Sequence, residues 1–324
     1  MLFKRPEVHD GVCWSKMNLD YPRVSVLMRA YNAEKYITEA VESILAQDYP
    51  GELELLISYD KGSSDNTLRA IDGQLQRKVP NRPIKLILHG RASPFRALTN
   101  YGFSNFTGQY VTFLDYDNLF PPNYVRKVVE SAIDKNLQFV FTRARLVDSG
   151  GEDLGRTLFR IPNDYARLRR VVLRNYIDMN TMVIRNDRFV TIAKKLETLA
   201  GQFYDWIFED WLIGMLALEQ GEVKYLSDVE MYYRVHESNL VYSMYIGTSR
   251  NLHFSNLWRD FKTLTAFSYL YQDNLNFLER LYLFFAKLEK LAMFFVLKRL
   301  MPDSIFVTVY RVFASIVQFI ERRI

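Results

Sequence analysis

The sequence predicts an α/β fold built on a doubly wound, mostly parallel sheet. Short, largely apolar and β-branched runs are typical of strands buried on both faces of such a sheet. They occur at residues 24–28, 52–58, 84–88 and 110–114. The segments between them have the apolar spacing of amphipathic helices. These segments are residues 35–47, 65–76 and 95–106. The alternating order implies right-handed crossovers, and ligands of such sheets bind beyond the carboxyl ends of the strands.

The pattern of the following residues predicts a second half of the domain, in which strands and helices are mixed and which lies against the first half. Its apolar patterns indicate further strands and helices. We expect strands at 139–148, 179–185 and 229–235, and helices at 187–200 and 209–221. No linker separates the halves, so residues 22–245 are interpreted as one domain, preceded by an N-terminal extension at 1–21.

A change of composition indicates a C-terminal helical appendage at residues 246–324. Residues 252–324 carry ten Lys or Arg against six Asp or Glu, and 16 of the chain's 48 aromatic residues. Helical spacing places apolar side chains on one stripe: Leu278, Leu281, Phe285, Leu288, Ala292 and Phe295. No stretch there reaches the roughly 20 apolar residues of a transmembrane helix. An amphipathic helix of this type lies in a membrane interface, or packs on the catalytic domain or on a second subunit.

Composition excludes several classes of protein. With 324 residues, of which 49% are hydrophobic and 24% charged, the chain is neither disordered nor collagen-like. Cys13 is the only cysteine, so no intrachain disulfide and no multi-cysteine zinc site can form. The N-terminus lacks the apolar run of a secretory signal, which favours a cytosolic location. The net charge of +5 comes without dense Lys/Arg clusters, so no nucleic-acid partner is expected.

The strongest chemical signal is the triplet Asp115-Tyr116-Asp117, which directly follows the apolar run YVTFL. If the strand continues through the triplet, the two carboxylates at i and i+2 project to the same side. There they can hold a divalent cation against a diphosphate. A solvated turn that leads into Pro121-Pro122 is the alternative interpretation. The position at the binding edge of the sheet favours the functional one.

Five motifs together resemble the family two glycosyltransferases, which have the GT-A fold. They are Arg29-Ala30-Tyr31-Asn32, residues 60–67 (DKGSSDNT), Thr107-Gly108-Gln109-Tyr110, Asp115-Tyr116-Asp117 and Glu209-Asp210-Trp211. The match covers about residues 22–238, in the order and spacing of the family. The resemblance implies an inverting transfer of a sugar from a nucleotide-diphosphate donor, assisted by Mg²⁺ or Mn²⁺.

The resemblance also implies roles for donor-side residues. Tyr31 and Asp60 resemble the residues that contact the base of the donor, and Asp115 and Asp117 resemble the motif that holds the ribose and the metal-diphosphate. Arg96 and Asn100 fall on the helix whose start faces the nucleotide in such enzymes, although a solvated charge and a helix-surface amide are equally open interpretations. Lys61 stands where the family often has a second acidic residue, so the base of the donor stays open.

On the acceptor side, Glu209-Asp210 resembles the acidic pair that activates the incoming hydroxyl, with Asp210 as the base. Acidic residues also favour the first turn of a helix on electrostatic grounds alone. Arg234 and His236 follow the pattern Tyr-Arg-x-His-x-x-Ser that ends the catalytic domain in the family. We expect Arg234 near the departing diphosphate and His236 as a further metal ligand, with surface or capping roles as alternatives.

The sequence therefore predicts a metal-dependent inverting glycosyltransferase of glycan biosynthesis, peripheral at the cytosolic face of a membrane. Its expected partners are a nucleotide-diphosphate sugar, a saccharide or lipid-linked acceptor and, in an oligomer, a second copy of the chain. A nucleotidyltransferase is one alternative, but the loop at residues 29–32 lacks the glycines of a phosphate loop. A catalytically silent sugar-binding protein is another, although both acidic pairs are present.

Overall fold

The computed structural model has a mixed α/β fold built on one central sheet. It describes residues 21–90, 92, 97, 105–167, 171–172, 174–199, 207–221, 223–237, 239, 250–271, 280 and 283–291. The strands are β1 (Val24–Ala30), β2 (Leu53–Asp60), β3 (Ile84–His89), β4 (Tyr110–Phe113), β5 (Phe139–Val147), β6 (Asp153–Thr157), β7 (Met182–Arg185) and β8 (Val223–Arg234). The helices are α1 (Ile37–Leu45), α2 (Thr67–Leu75), α3 (Tyr124–Asp134), α4 (Asn186–Thr198), α5 (Glu209–Gln220) and α6 (Arg250–Tyr271).

The first half of the sheet is parallel, as predicted. Strand β1 lies between β2 and β4, and β3 pairs with the outer side of β2. Every residue of β2 is buried, since helices cover both faces of a doubly wound sheet. Helix α1 buries Ile37, Ala40, Val41 and Ile44, the spacing of one helical face. The carboxyl ends of β1, β2 and β4 therefore meet at one edge.

The second half mixes directions. Strand β7 is antiparallel to both β4 and β5, which makes β5 run the same way as β4. Strand β8 pairs parallel with β5, so its carboxyl end reaches the same edge as those of β1 and β4. The sheet order is β3-β2-β1-β4-β7-β5-β6, with β8 paired to β5. The predicted α/β class and mostly parallel sheet are confirmed.

Several elements differ from the sequence-based prediction. Strand β8 begins at Val223 rather than 229, and residues Met179–Thr181, expected as strand, form a 3₁₀ turn. Helix α3 and strand β6 were not predicted, and helix α6 lies within the region predicted to be helical at 246–324, although no helix was placed at its bounds. The helix expected at 95–106 lies almost wholly outside the described residues.

Helix α6 connects the C-terminal region with the sheet domain. It packs against α5, and its Leu264 and Phe267 belong to the same buried cluster as Trp211 of α5. Residues 283–291 are helical and add Leu283 and Ala286 to that cluster. Within the described residues, no helix combines the length and the apolar character needed to cross a membrane.

The Thr107-Gly108 motif fixes the entry into β4. Both the backbone N–H and the hydroxyl of Thr107 donate to the buried carboxylate of Glu54. The Gly108 N–H donates to the Ser25 hydroxyl at 2.8 Å. A β-carbon on Gly108 would lie 2.5 Å from the Ser25 nitrogen, so the close approach of two backbones requires glycine.

Candidate functional site

The centre of the candidate site is Arg29, the sixth residue of β1. Its guanidinium forms a two-pronged ion pair with Asp115, at 2.9 Å from Nη2 to Oδ1 and 3.0 Å to Oδ2. Its Nη1 donates to the carboxylate of Glu209 at the start of α5. One side chain thus joins the acidic triplet after β4 to the acidic pair of α5, and sequence analysis assigned it no role.

The charges of Arg29, Asp115 and Glu209 stabilise one another. Burial opposes the charge of the Arg29 guanidinium, but Asp115 and Glu209 more than offset it and raise the pKa of Arg29. Burial, opposed by Arg29 and reinforced by Asp117, raises the pKa of Asp115. A second neighbour, Asn180, accepts a hydrogen bond from the Asp115 N–H at 2.6 Å and donates to its Oδ2 at 3.3 Å. Asp115 is therefore fixed on several sides.

Asp117 lies beside the two residues expected to act with it. Nε2 of His236 is 2.9 Å from Oδ2 of Asp117, and the imidazole packs on Tyr36 with 4.8 Å between ring centres. Nε of Arg234 donates to the Asp117 carbonyl at 3.0 Å. The other two guanidinium nitrogens of Arg234 donate to the Ser149 carbonyl and to Glu39. Arg234 is buried, and all three of its nitrogens bond within the protein.

The strand-based prediction that the two aspartates of the triplet project side by side from a strand is wrong. Strand β4 ends at Phe113, and the chain turns so that the Asn118 N–H donates to the Asp115 carbonyl at 3.1 Å. The turn aims Asp115 at Arg29 and Asp117 at His236. The turn was the alternative interpretation of this segment, and in the structure it is part of the site.

Asp210 lies in the first turn of α5, next to Glu209. Its Oδ1 accepts from the Trp211 N–H at 2.7 Å, and its Oδ2 accepts from the amide of Asn175 at 2.8 Å. Burial, then repulsion from Glu209 and Asp178, raises the pKa of Asp210 to about 7. A carboxylate with a pKa close to neutrality is suited to act as a general base.

Asp178 adds a further carboxyl group close to Asp115 and Asp210, and the neutral phenol of Tyr233 lies among them; neither residue was predicted. Asp178 accepts from the N–H of Asn180 at 2.9 Å, and burial raises its pKa to about 6. Burial, then Asp178 and its acidic neighbours, raises the pKa of Tyr233 well above the usual value. The Asp-x-Asn spacing is a pattern typical of an Asx turn, and this was the available signal for Asp178.

The loops after β1 and β2 are bonded to each other. Asn32, which adopts a φ of +49°, accepts from the Ser64 N–H at 2.8 Å. The Ala33 N–H donates to the Thr67 hydroxyl, and the Glu34 N–H donates to Asp65 at 3.0 Å. Asn and Asp tolerate such left-handed positions better than most residues.

The residues expected near the donor base flank these loops. Both oxygens of Asp60 are engaged, Oδ1 by the Gly62 N–H at 2.7 Å and Oδ2 by the Ala92 N–H at 3.0 Å. Tyr31 is half-buried directly after β1. Arg96 and Asn100 lie outside the described residues, so their expected roles stay predictions.

The ligands available to a divalent cation centre on Asp117 and His236. In the described part of the chain, no group of three or more His, Cys, Asp or Glu has the arrangement of a metal site. The carboxylate of Asp117 and the imidazole of His236 are adjacent and are suitable ligands for Mn²⁺ or Mg²⁺. Asp115 contributes negative charge, but Arg29 and Asn180 occupy its oxygens. The chemistry of Asp117 and His236 thus fits a cation.

Sequence comparison supports the resemblance noted above. Residues 25–194 match the profile of Glycosyl transferase family 2. An uncharacterized glycosyltransferase of Nostoc sp. is 28% identical over 224 residues, 67% of this chain and 66% of the relative. The putative glycosyltransferase EpsE of Bacillus subtilis is 35% identical over 142 residues, 44% of this chain and 50% of the relative. The chain thus spans less than two thirds of the length of either relative.

Among solved structures, residues 1–349 of TarS from S. aureus, in complex with UDP-GlcNAc, have a similar fold. The TM-score is 0.57 at 18% identity, and the match covers 87% of this chain and 77% of the other. At this identity the similarity concerns the fold.

Proposed function

Because the chain belongs to glycosyl transferase family 2, we propose that it transfers a sugar from a nucleotide-diphosphate donor to a hydroxyl group with inversion at the anomeric carbon. The observation that carries the proposal is the bridge through Arg29, which joins the acidic triplet after β4 to the acidic pair of α5. The edge of the sheet proposed to bind the donor and the proposed base are thereby held within one site. Transfer between two substrates requires this proximity.

Asp210 is the proposed base. Its carboxylate takes the proton of the acceptor hydroxyl while the oxygen forms a bond to the anomeric carbon of the donor. The bond between that carbon and the diphosphate breaks in the same step, and its electron pair leaves with the diphosphate. Because the pKa of Asp210 is raised to about 7, its unprotonated form is a stronger base than an ordinary aspartate. Glu209, which pairs with Arg29, orients the start of α5.

The donor side is proposed to bind the nucleotide at Tyr31 and Asp60 and the diphosphate near Asp117. Asp117 and His236 would hold Mg²⁺ or Mn²⁺, which when bound supplies positive charge to the leaving diphosphate. Asp115, fixed by Arg29, would face the ribose. Arg234 holds the Asp117 carbonyl and connects β8 with α1, and this contact supports a positioning role for it.

We also propose that the C-terminal helices bring the enzyme to a membrane surface, where a lipid-linked saccharide is the acceptor. Phe285 and Leu288, two members of the stripe predicted at the sequence level, are exposed on the helix at 283–291, together with Phe284. The remaining members of that stripe lie outside the described residues. Exposed aromatic groups beside lysines favour an anionic membrane interface.

The proposal is tested on a panel of UDP-, GDP- and dTDP-sugars with Mn²⁺, measuring release of the nucleoside diphosphate with saccharide acceptors. NMR of the product reports the anomeric configuration. Asp210→Asn is expected to lower kcat by about 10²–10⁴, the usual contribution of a general base, with little change in donor affinity. Glu219→Gln, at the other end of the same helix, is the matched control and should retain full activity.

Two outcomes contradict the proposal. Donor binding without any transfer would indicate a silent sugar-binding protein, and a product that retains the donor configuration would exclude the single inverting step. If Asp210→Asn keeps its rate while Glu209→Gln loses it, the base is Glu209.

A further inference from the structure

We propose that Thr263 and Arg259 of α6 are positioning residues for the transfer step, because they hold the two residues that precede the acidic pair of α5. This inference rests on the function proposed above. It extends the working catalytic unit beyond the matched residues 25–194, to a helix that the sequence placed in an appendage.

Thr263 satisfies the backbone where α5 begins. Its hydroxyl accepts a hydrogen bond from the Phe208 N–H at 2.8 Å and donates to the Arg259 carbonyl at 2.8 Å. Phe208 is the N-cap residue of α5, and its own side chain makes no capping bond. The first N–H groups of a helix have no partner within the helix, so an outside acceptor fixes where it starts. Here the acceptor comes from α6, 55 positions along the chain.

Arg259 also contacts the segment that precedes α5. Its guanidinium lies 4.0 Å from the centre of the Phe208 ring, and its Nη2 donates to the Ile207 carbonyl at 3.3 Å. A guanidinium over an aromatic face is an attractive contact of about 0.5–2 kcal/mol. One turn of α6 thus binds the Ile207 carbonyl, the Phe208 N–H and the Phe208 ring.

These contacts from α6 lie directly beside the two acidic residues of α5. Glu209 and Asp210 follow Phe208 without an intervening residue, and each must aim its carboxylate at a fixed target. Glu209 reaches Arg29, and Asp210 is held by Asn175. Since both side chains extend from the first turn of α5, a shift of that turn displaces them together. A displacement of about 1 Å can lower a rate by about 100-fold.

Helix α6 is itself well fixed, which the role requires. Thr263 and Leu264 are fully buried against α5. On its other side, Asp260 faces Lys290 of the following helix at 4.0 Å, and Ser268 accepts from Lys287 at 3.3 Å. The hydroxyl that caps α5 thus belongs to a helix that packs against α5 on one side and against the 283–291 helix on the other.

The chain offers matched variants for the test. Thr263→Val keeps the shape of the side chain and removes both hydrogen bonds. Thr265→Val is its control, since among the described residues the Thr265 hydroxyl bonds within α6 alone, to the Phe261 carbonyl at 2.8 Å. Thr263→Ser restores the hydroxyl. Arg259→Gln removes the ring contact, with Lys262→Gln as control because Lys262 lies over Trp258 of the same helix.

The measurements are kcat and donor KM of the full chain, with Mn²⁺ and the most active sugar of the panel, together with amide hydrogen exchange at residues 207–212. We expect Thr263→Val and Arg259→Gln to lower kcat by at least about fivefold with donor KM within about twofold. Thr263→Ser and both controls should stay within twofold of the wild type. Exchange of the Phe208 amide should accelerate in Thr263→Val and not in Thr265→Val.

Failure of this inference is distinguishable from failure of the proposed function. An active wild type with equal kcat in Thr263→Val and Thr265→Val overturns the positioning role. Equal loss in both threonine variants would assign the effect to α6 stability and overturns it as well. A wild type that transfers no sugar contradicts the proposed function, and unchanged Phe208 exchange in Thr263→Val would then still refute the cap.

Discussion

Arg29 and Glu209 are 180 positions apart in the chain and form a half-buried ion pair at the edge of the sheet. The same guanidinium binds Asp115, so one cation faces two carboxylates from different halves of the fold. The pair physically links the proposed donor side with the proposed acceptor side.

Replacing Arg29 with Met should destabilise the protein and reduce transfer at the same time. Two partly buried carboxylates would lose their counter-charge, and breaking a buried pair costs about 3–5 kcal/mol. Because Arg29 retains some solvent contact, we expect the free energy of unfolding to fall by about 1–3 kcal/mol in urea titrations. Arg126→Met is the control, since Arg126 pairs with Asp48 at the exposed surface and should cost about 0–1 kcal/mol. Equal losses in the two variants would contradict a special role for Arg29.

The pH dependence of transfer should follow Asp210. A base acts in its unprotonated form, so kcat should rise with pH through the Asp210 pKa of about 7. Glu209→Gln and Asp178→Asn each remove a negative charge that raises this pKa, and both should move the rise to lower pH. Glu219→Gln should leave it unchanged. A rise that stays in place in both site variants would assign the titration to another group.

Donor binding should depend on a divalent cation. Calorimetry of the full chain with the active nucleotide sugar should show tight binding with Mn²⁺ or Mg²⁺ and weak binding in excess chelator. Asp117→Ala should behave like the chelated wild type, because the carboxylate next to His236 is lost. Asp153→Ala, on the exposed strand β6, is the control. Turnover at full rate in excess chelator would refute the metal role of Asp117 and His236.

The exposed aromatic residues of the C-terminal helix should bind membranes. We expect the full chain to co-sediment with phosphatidylserine vesicles at low salt, since aromatic burial and lysine attraction add. The double change Phe284→Ser and Phe285→Ser should weaken binding at least about fivefold. Leu88→Ser, an equally exposed apolar residue of β3, should have no effect. Wild-type protein that stays in the supernatant would instead favour packing on the catalytic domain or on a second subunit.

Gly108→Ala should lower stability, because the new β-carbon would meet backbone atoms of Ser25 and Tyr110 within 2.8 Å. Overpacking of this kind typically costs about 1–3 kcal/mol. Gly73→Ala is the matched control, since Gly73 lies inside α2 and an added β-carbon there would meet no atom within 4 Å. It should raise stability by about 0.5–1 kcal/mol because alanine is the better helix former. A stable Gly108→Ala protein would mean that the two backbones can separate.

The elements that the sequence predicted well are those with a regular apolar period. Strands β1, β2 and β4 and helices α1, α2, α4 and α5 each bury a continuous run or one helical face, and local patterns report this. Strand β3 was predicted from its apolar residues, although only His89 of its six residues is buried. Strand β6 has five exposed residues and therefore no alternating pattern. Helix α6 packs against α5 on one side and the 283–291 helix on the other, so no single polar face identifies it.

The candidate site was predictable only where its residues follow a strand or open a helix. Asp115, Asp117, Glu209 and Asp210 stand at such positions, and the structure places all four at one edge of the sheet. Arg29 is the last residue but one of the same kind of strand, but its role depends on partners 86 and 180 positions away. Asp178 and Tyr233 likewise join the site only after β7 and β8 are in place. Long-range pairing of this type leaves no local signature.

The hydrogen bonds between the loops after β1 and β2 have a thermodynamic consequence. Asn32, Glu34, Asp65 and Thr67 hold these loops in one arrangement through bonds of their own. A nucleotide that binds there does not have to order them, so little conformational entropy is lost on association. The heat capacity change of binding should then reflect only the surface that the nucleotide itself covers. If the base of the donor binds there, we expect this ordered surface to select bases by shape and to accept few of them.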